Sequence, residues 1–222
     1  MVRVSKWVVV LAVLVMMLGI SAAVYATPTG LNNIPTADVV AKDVLVLQGF
    51  GVFGEERSPD WFLGAKYGPA KNVEVGIDGR VAGEGGSSGL TFQAKYRVPL
   101  DKQTRVAAGI ANLSTDTDRN GDNFPYLVVS HNFNDCFNGH LGYSFESDNQ
   151  AWFAGVDKAL SKAFVLRSDW IQVNDGDDSL FSLGGIYTIS PNWLVEGWAS
   201  FPTADGDKTS FVAKVNYVIP LK

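Results

Sequence analysis

The stretch Val73-Glu74-Val75-Gly76-Ile77-Asp78-Gly79-Arg80-Val81 sets an apolar residue or glycine at every odd position and a charged residue or glycine at every even one. Period-two alternation stands side chains on opposite faces of an extended strand, so one face favours an apolar medium and the other favours water. Comparable runs of about ten residues, separated by short turn-forming clusters, continue from Asp43 to Leu221. Twelve candidate strands follow, at about 43–53, 59–68, 71–82, 89–99, 103–113, 124–133, 138–146, 150–158, 162–173, 179–189, 192–201 and 209–221. Their length suits a tilted strand crossing a bilayer. An even number returns both ends of the sheet to one side. A soluble sandwich also alternates, so the choice between oil and a second sheet rests on the rest of the chain.

The composition fits one domain without a nucleic-acid partner: 222 residues, 18% charged, formal net charge -5. Thirteen Phe, six Trp, seven Tyr and 23 Gly suit barrel strands with interfacial rings and close bends. Cys136 is the only cysteine, which excludes an intrachain disulfide and a two-cysteine metal site. At the N-terminus, Arg3 and Lys6 precede an uncharged run over 7–20 and then small residues up to Ala26. This pattern predicts a signal peptide over 1–26, cleaved after Ala26; the alternative is an uncleaved anchor helix, for which the apolar run is short. Without that segment no helical span remains, and a membrane protein of this sequence crosses only as a closed barrel. Residues 27–42 lack clean alternation and are expected to form an irregular periplasmic arm or a plug, ahead of a barrel over 43–222.

Loops and turns support the barrel. The connections expected outside carry Glu55, Glu56, Glu84, Asp116, Asp118, Asp122, Asp148, Asp175, Asp177, Asp178, Asp205 and Asp207. Those expected at the periplasm are short, such as Pro69-Ala70, Leu100-Asp101-Lys102 and Ser190-Pro191. One face of the strands is almost free of charge: Trp61/Leu63/Ala65/Tyr67, Leu90/Phe92/Ala94/Tyr96/Val98, Leu141/Tyr143/Phe145, Phe181/Leu183/Gly185/Tyr187 and Phe211/Ala213/Val215/Tyr217. Trp61 falls near one end of its strand and Tyr67, Tyr96, Tyr187, Trp193 and Tyr217 near the other, as two interfacial girdles require.

The opposite face carries Lys66, Arg80, Lys95, Arg97, Arg105, Arg167 and Lys214 against Glu74, Asp78, Asp157, Asp169 and Glu196, with Glu146 near the rim. Such a balanced set can pair across a narrow lumen, where an unpaired charge is costly, or can line a selective path. The segment Thr29-Gly30-Leu31-Asn32-Asn33-Ile34-Pro35-Thr36-Ala37 resembles the Gly-Leu-x-x-x-Pro-Thr-Ala opening of the YjbH-like outer-membrane β-barrel proteins associated with exopolysaccharide. That resemblance implies an outer-membrane barrel with a role near polysaccharide export. In size the chain also resembles the narrow twelve-stranded oligosaccharide porins, whose lumen favours a cationic track where this one is mixed.

Asp116, Asp118, Asn120 and Asp122 have the oxygen spacing of a calcium loop, but Leu127 stands where the twelfth-position glutamate belongs. A solvated acidic loop, with diffuse binding of divalent cations and lipid phosphates, is the competing reading. His131 and His140 are too few for a metal cluster, and Ser130 and His131, being adjacent on a strand, face opposite ways. No Gly-x-Ser-x-Gly elbow and no phosphate loop is found, so neither an enzyme nor a cofactor is expected. Two function classes follow for an outer-membrane barrel: a porin-like channel for small polar or ionic solutes, and a non-conducting structural or assembly protein accessory to exopolysaccharide export.

Overall fold

The computed structural model describes residues 29–54, 58–83, 89–115, 123–145, 150–173 and 176–221. Twelve antiparallel strands close into a barrel: β1 (Val44–Gly54), β2 (Asp60–Ala70), β3 (Val73–Ala82), β4 (Leu90–Pro99), β5 (Thr104–Leu113), β6 (Phe124–Asn134), β7 (Phe137–Phe145), β8 (Gln150–Ala159), β9 (Phe164–Val173), β10 (Asp178–Ser190), β11 (Trp193–Pro202) and β12 (Ser210–Pro220). Each strand pairs with its neighbours in sequence, and β12 pairs with β1 from Val44↔Pro220 to Gly54↔Ser210, leaving no free sheet edge. Closure satisfies the backbone donors and acceptors within the sheet, as a lipid-facing wall needs.

Short turns gather at one rim, and their side chains explain them. Asp101 Oδ1 accepts the N–H groups of Gln103 and Thr104, both at 2.7 Å. Ser161 Oγ takes those of Ala163 and Phe164 at 3.2 and 3.0 Å, and Asn134 Oδ1 takes that of Cys136 at 3.0 Å. The turn expected at Pro69-Ala70 lies two residues later. The β2–β3 register shifts between Tyr67 and Ala70, because a bulge accommodates Pro69, which has no N–H to give. Asn72, at φ 72°, then makes the reversal. The longer connections lie at the opposite rim.

The faces separate as the alternation requires. Leu63, Leu90, Phe92, Tyr96, Leu141, Phe181 and Phe211 are exposed on the outside, with Leu63 at 60%. Trp193 and Tyr217 meet near the short-turn rim with ring centroids 4.6 Å apart and planes tilted by 40°, and Phe53 meets Trp61 edge-on near the long-loop rim. Among the described residues no helix is long and apolar enough to cross a membrane, while the outer wall of the barrel is an apolar band.

The core lies inside the barrel, and residues 29–42 complete it. They form no strand and enter from the short-turn rim, where Asp43 N–H donates to the Gly68 carbonyl at 2.8 Å. The passage is tight: a Cβ on Gly68 would lie 2.1 Å from the Ala41 carbonyl oxygen. Deeper in, Leu31 N–H donates to the Ile34 carbonyl at 2.9 Å, which closes the tip of the arm on itself. Leu31, Ile34 and Ala37 pack on the inward-facing Ala107, Tyr126, Val128 and Phe153. Val40 packs on Val46, Ile186, Leu194 and Val218, so the arm meets opposite walls of the lumen.

Candidate functional site

Inside a barrel of this width, a polar group that the arm brings in is costly without a partner, and the wall supplies many of them. Five of the twelve charged residues expected in the lumen serve that purpose. Glu74, 2% exposed, accepts the Thr29 hydroxyl and, at 2.7 Å, the Val40 N–H. Asp169 Oδ2 accepts two successive backbone N–H groups, from Asn32 at 2.7 Å and Asn33 at 3.3 Å. Lys95 Nζ donates to the carbonyls of Thr29 at 3.3 Å and Asp38 at 2.9 Å. Arg167 gives one nitrogen to the Gly30 carbonyl at 3.1 Å and the other to Glu196. Arg105 grips the Asp38 carboxylate with two nitrogens, at 2.6 and 2.8 Å, a fork that fits a planar carboxylate.

The other seven lie outside this grip. Asp78 accepts hydrogen bonds from Gln48 and, at 3.3 Å, from Gln93. Arg80 faces Asp60 at 3.6 Å, and Arg97 donates twice to Asn72 Oδ1, at 3.1 and 2.9 Å. Asp157 accepts from Asn138 Nδ2 at 2.8 Å and from His140. Glu196 takes Asn216 as well as Arg167, with Lys214 at 3.5 Å. Lys66, Lys95 and Lys214 meet with Glu196 along a cavity of about 270 Å³ between arm residues 29–35 and the Asn112 and Phe124 ends of β5 and β6. A wall-to-wall network was one expectation from the charge balance. Ion pairs such as Arg167 and Lys214 with Glu196 do join wall to wall, while Arg105 pairs with Asp38 of the arm, whose path no strand alternation encodes.

Sequence reasoning missed the uncharged members of this arrangement. Asn33 Nδ2 reaches the hydroxyls of Ser182 and Ser200, the latter at 2.9 Å, while Trp198 Nε1 donates to Asn33 Oδ1 at 3.2 Å. Ser130 Oγ accepts the Ala37 N–H at 2.9 Å and contacts His140 Nδ1 at 2.7 Å. His140 Nε2 in turn meets Asp157 at 2.8 Å. Their only signal in the sequence is a polar residue at the inward period of a strand. Ser130 does not pair with its neighbour His131, which faces the other way and bonds Thr104 Oγ1 at 3.0 Å. The Ser130 hydroxyl is fully buried beneath Ala37, so no substrate carbonyl can approach it in this arrangement.

Partial burial of the Asp38 carboxyl pushes its pKa up. The hydrogen bonds and charge of Arg105, with His140 and Lys95 adding, outweigh burial and hold it below the ordinary 3.8. Asp38 therefore stays ionised through neutral and mildly acidic pH. The calcium candidates Asp116, Asp118, Asn120 and Asp122, the predicted signal segment and Glu146 lie outside the described residues. Among the described residues no group of three His, Cys, Asp or Glu could hold a metal ion.

No protein-family model and no curated protein matches the chain. Solved structures match over most of their length. The KdgM porin aligns with TM-score 0.65 at 14% identity, covering 78% of this chain and 98% of that one. The NanC porin gives 0.60 at 13% identity, with 78% and 98% covered. An outer membrane protein of Acinetobacter baumannii gives 0.54 at 11%, with 80% and 99% covered. At these identities the likeness is one of fold: this chain has the closed barrel of those bacterial outer-membrane proteins.

Proposed function

We propose that the chain is a bacterial outer-membrane β-barrel acting as a porin-like channel for small polar or ionic solutes, with residues 29–42 seated in the lumen as its plug. The observation that carries the proposal is the division of surfaces: an apolar band outside, and inside it a lumen whose charged groups face one another and the arm. A lumen built only for stability would be filled with apolar side chains at no desolvation cost; charged groups in that place suit a path for water-soluble cargo. Lys66, Lys95 and Lys214 around the 270 Å³ cavity give a polar solute its first contact on the long-loop side of the arm. With Glu196 as the counter-charge, they favour an anionic group. One solved structure holds the KdgM porin in complex with disordered oligogalacturonate, which places an acidic solute on the same fold in that protein. Lipid around the belt and divalent cations at the acidic loops complete the partners proposed; no catalytic residue is among them.

The test is single-channel conductance of the folded chain in a planar bilayer under two salt gradients. Unitary steps with a reversal potential displaced toward anion passage are expected. Silence from protein shown to be folded and inserted would overturn the channel and leave a second reading, a non-conducting structural or assembly protein accessory to exopolysaccharide export. That reading is favoured by the arm itself, which packs against opposite walls and carries the residues 29–37 that resemble the YjbH-like opening.

A further inference from the structure

Resting on the reading of the arm as a plug, we propose that Ser130, His140 and Asp157 form a proton-operated latch that secures the arm at Ala37 at neutral pH and loosens that stretch when His140 takes up a second proton. The proton positions follow from what each atom can do. The Asp157 carboxylate only accepts, so His140 Nε2 carries a hydrogen toward it across 2.8 Å. Nδ1 of the neutral ring is then a bare acceptor, and the Ser130 hydroxyl donates to it across 2.7 Å. The remaining lone pairs of Ser130 Oγ are free to accept the Ala37 N–H of the arm at 2.9 Å. Every member is satisfied in this state, and Ser130, Ala37 and His140 are buried.

A second proton goes to Nδ1, the one open position on the ring. Nδ1–H and Ala37 N–H then both aim at Ser130 Oγ, and the hydroxyl hydrogen loses its acceptor. With Ser130 completely buried, a new acceptor comes only by turning Oγ away from Ala37 or by admitting water where the arm sits. Either route loosens the arm. Charged groups on several elements surround the latch: Asp157 on β8 meets His140 at 2.8 Å, Asp38 of the arm lies near it, Asp169 on β9 lines the same cavity, and Arg105 on β5 and Lys95 on β4 face Asp38. Asn138 on β7 and Asn132 on β6 are the uncharged polar neighbours of Asp157 and Arg105 in this group. Asp38 remains ionised while this happens, so the Arg105 pair, with the Glu74, Lys95, Arg167 and Asp169 contacts, keeps the arm anchored and makes the loosening reversible.

The test places a cysteine at Thr36, a buried arm residue, and uses the natural, exposed Cys136 as the reference thiol in the same molecule. The full chain with Thr36→Cys, folded in lipid vesicles, is treated with a neutral maleimide at pH 7.5 and 5.5. The ratio of labelling at the two sites is read by peptide mass spectrometry, which cancels the common dependence of thiolate on pH. A rise in the ratio of about fivefold at pH 5.5 is expected, the size of one lost hydrogen bond. Adding His140→Gln should flatten it, and Ser130→Ala should hold it high at both pH values. A pH-independent ratio in the chain with His140 intact, or an equal rise in the His140→Gln chain, overturns the latch. Conductance recorded on the same preparations separates the two readings. A pH-dependent ratio from a silent barrel supports the latch and sinks the channel, whereas conduction with a flat ratio does the reverse.

Discussion

Asp38 and Arg105 show how a single residue fixes the arm. The pair is bidentate, but the Asp38 side chain is 42% exposed, so its contribution is that of a partly solvated pair, about 1 kcal/mol. Asp38→Asn should raise labelling of an arm thiol about fivefold at pH 7.5, and Arg105→Gln should do the same, since each removes half of one pair. The linkage has a definite sign. A carboxyl held below 3.8 in the folded protein adds stability that is present above that value and is lost as pH falls through the lower, folded one. Asp101 behaves likewise, because the N–H groups of Gln103 and Thr104 hold its exposed carboxylate below the ordinary range. In a His140→Gln background, Asp38→Asn should therefore remove the part of the rise in arm labelling that sets in as pH falls below about 4. Gly68 acts by absence: Gly68→Val sets a side chain against the Ala41 carbonyl. Amide exchange at Val40, whose N–H is bound to Glu74, should accelerate in that variant by about tenfold or more.

At the scale of elements, strands and arm obey different rules. A strand reads its environment residue by residue, so a charge on its outer face is unfavourable wherever the sequence places it in lipid. Leu183 stands outward on β10, 46% exposed. Leu183→Arg should cost about 2–4 kcal/mol if that position lies at the bilayer midplane, measured by urea titration of the barrel in vesicles. The inward Ser182 next to it, which bonds Ser200 at 2.9 Å, should instead respond through the arm. The arm has no ladder of its own and depends on burial of Leu31, Ile34 and Ala37 with a few aimed hydrogen bonds. Replacing Leu31 and Ile34 together by serine should unseat its tip while leaving the twelve-strand register intact. The check is a rise in arm labelling with an unchanged far-ultraviolet circular dichroism spectrum.

The whole molecule decides selectivity, because a lumen field is the sum of groups on many strands. Lys214 on β12 pairs directly with Glu196 on β11, and Lys66 on β2 and Lys95 on β4 reach the same cavity only because the sheet closes. Lys66→Glu with Lys214→Glu turns the cavity from two net positive charges to two net negative ones. The reversal potential should then change sign toward cation passage, as a salt-gradient recording would show.

Much of this architecture was legible in the chain itself. Alternation gave twelve strands to within about two residues and the outward set from Trp61 to Tyr217, because a strand's two faces are fixed by local geometry alone. Even the misplaced turn at Pro69 has a local cause, a bulge that lets Asn72 take the reversal. What the sequence could not carry is which inward groups meet. Ser130 finds His140 and not His131, Asp169 receives Asn32 and Asn33 from residues 136 and more positions away, and Arg105 finds Asp38. The first is set by the register of the β6–β7 hairpin, where Ser130 pairs with His140; the others depend on where an arm with no period meets the wall, which is non-local. Period-two patterning thus determined the wall; only the closed tertiary structure decided that the lumen is occupied and what holds its occupant there.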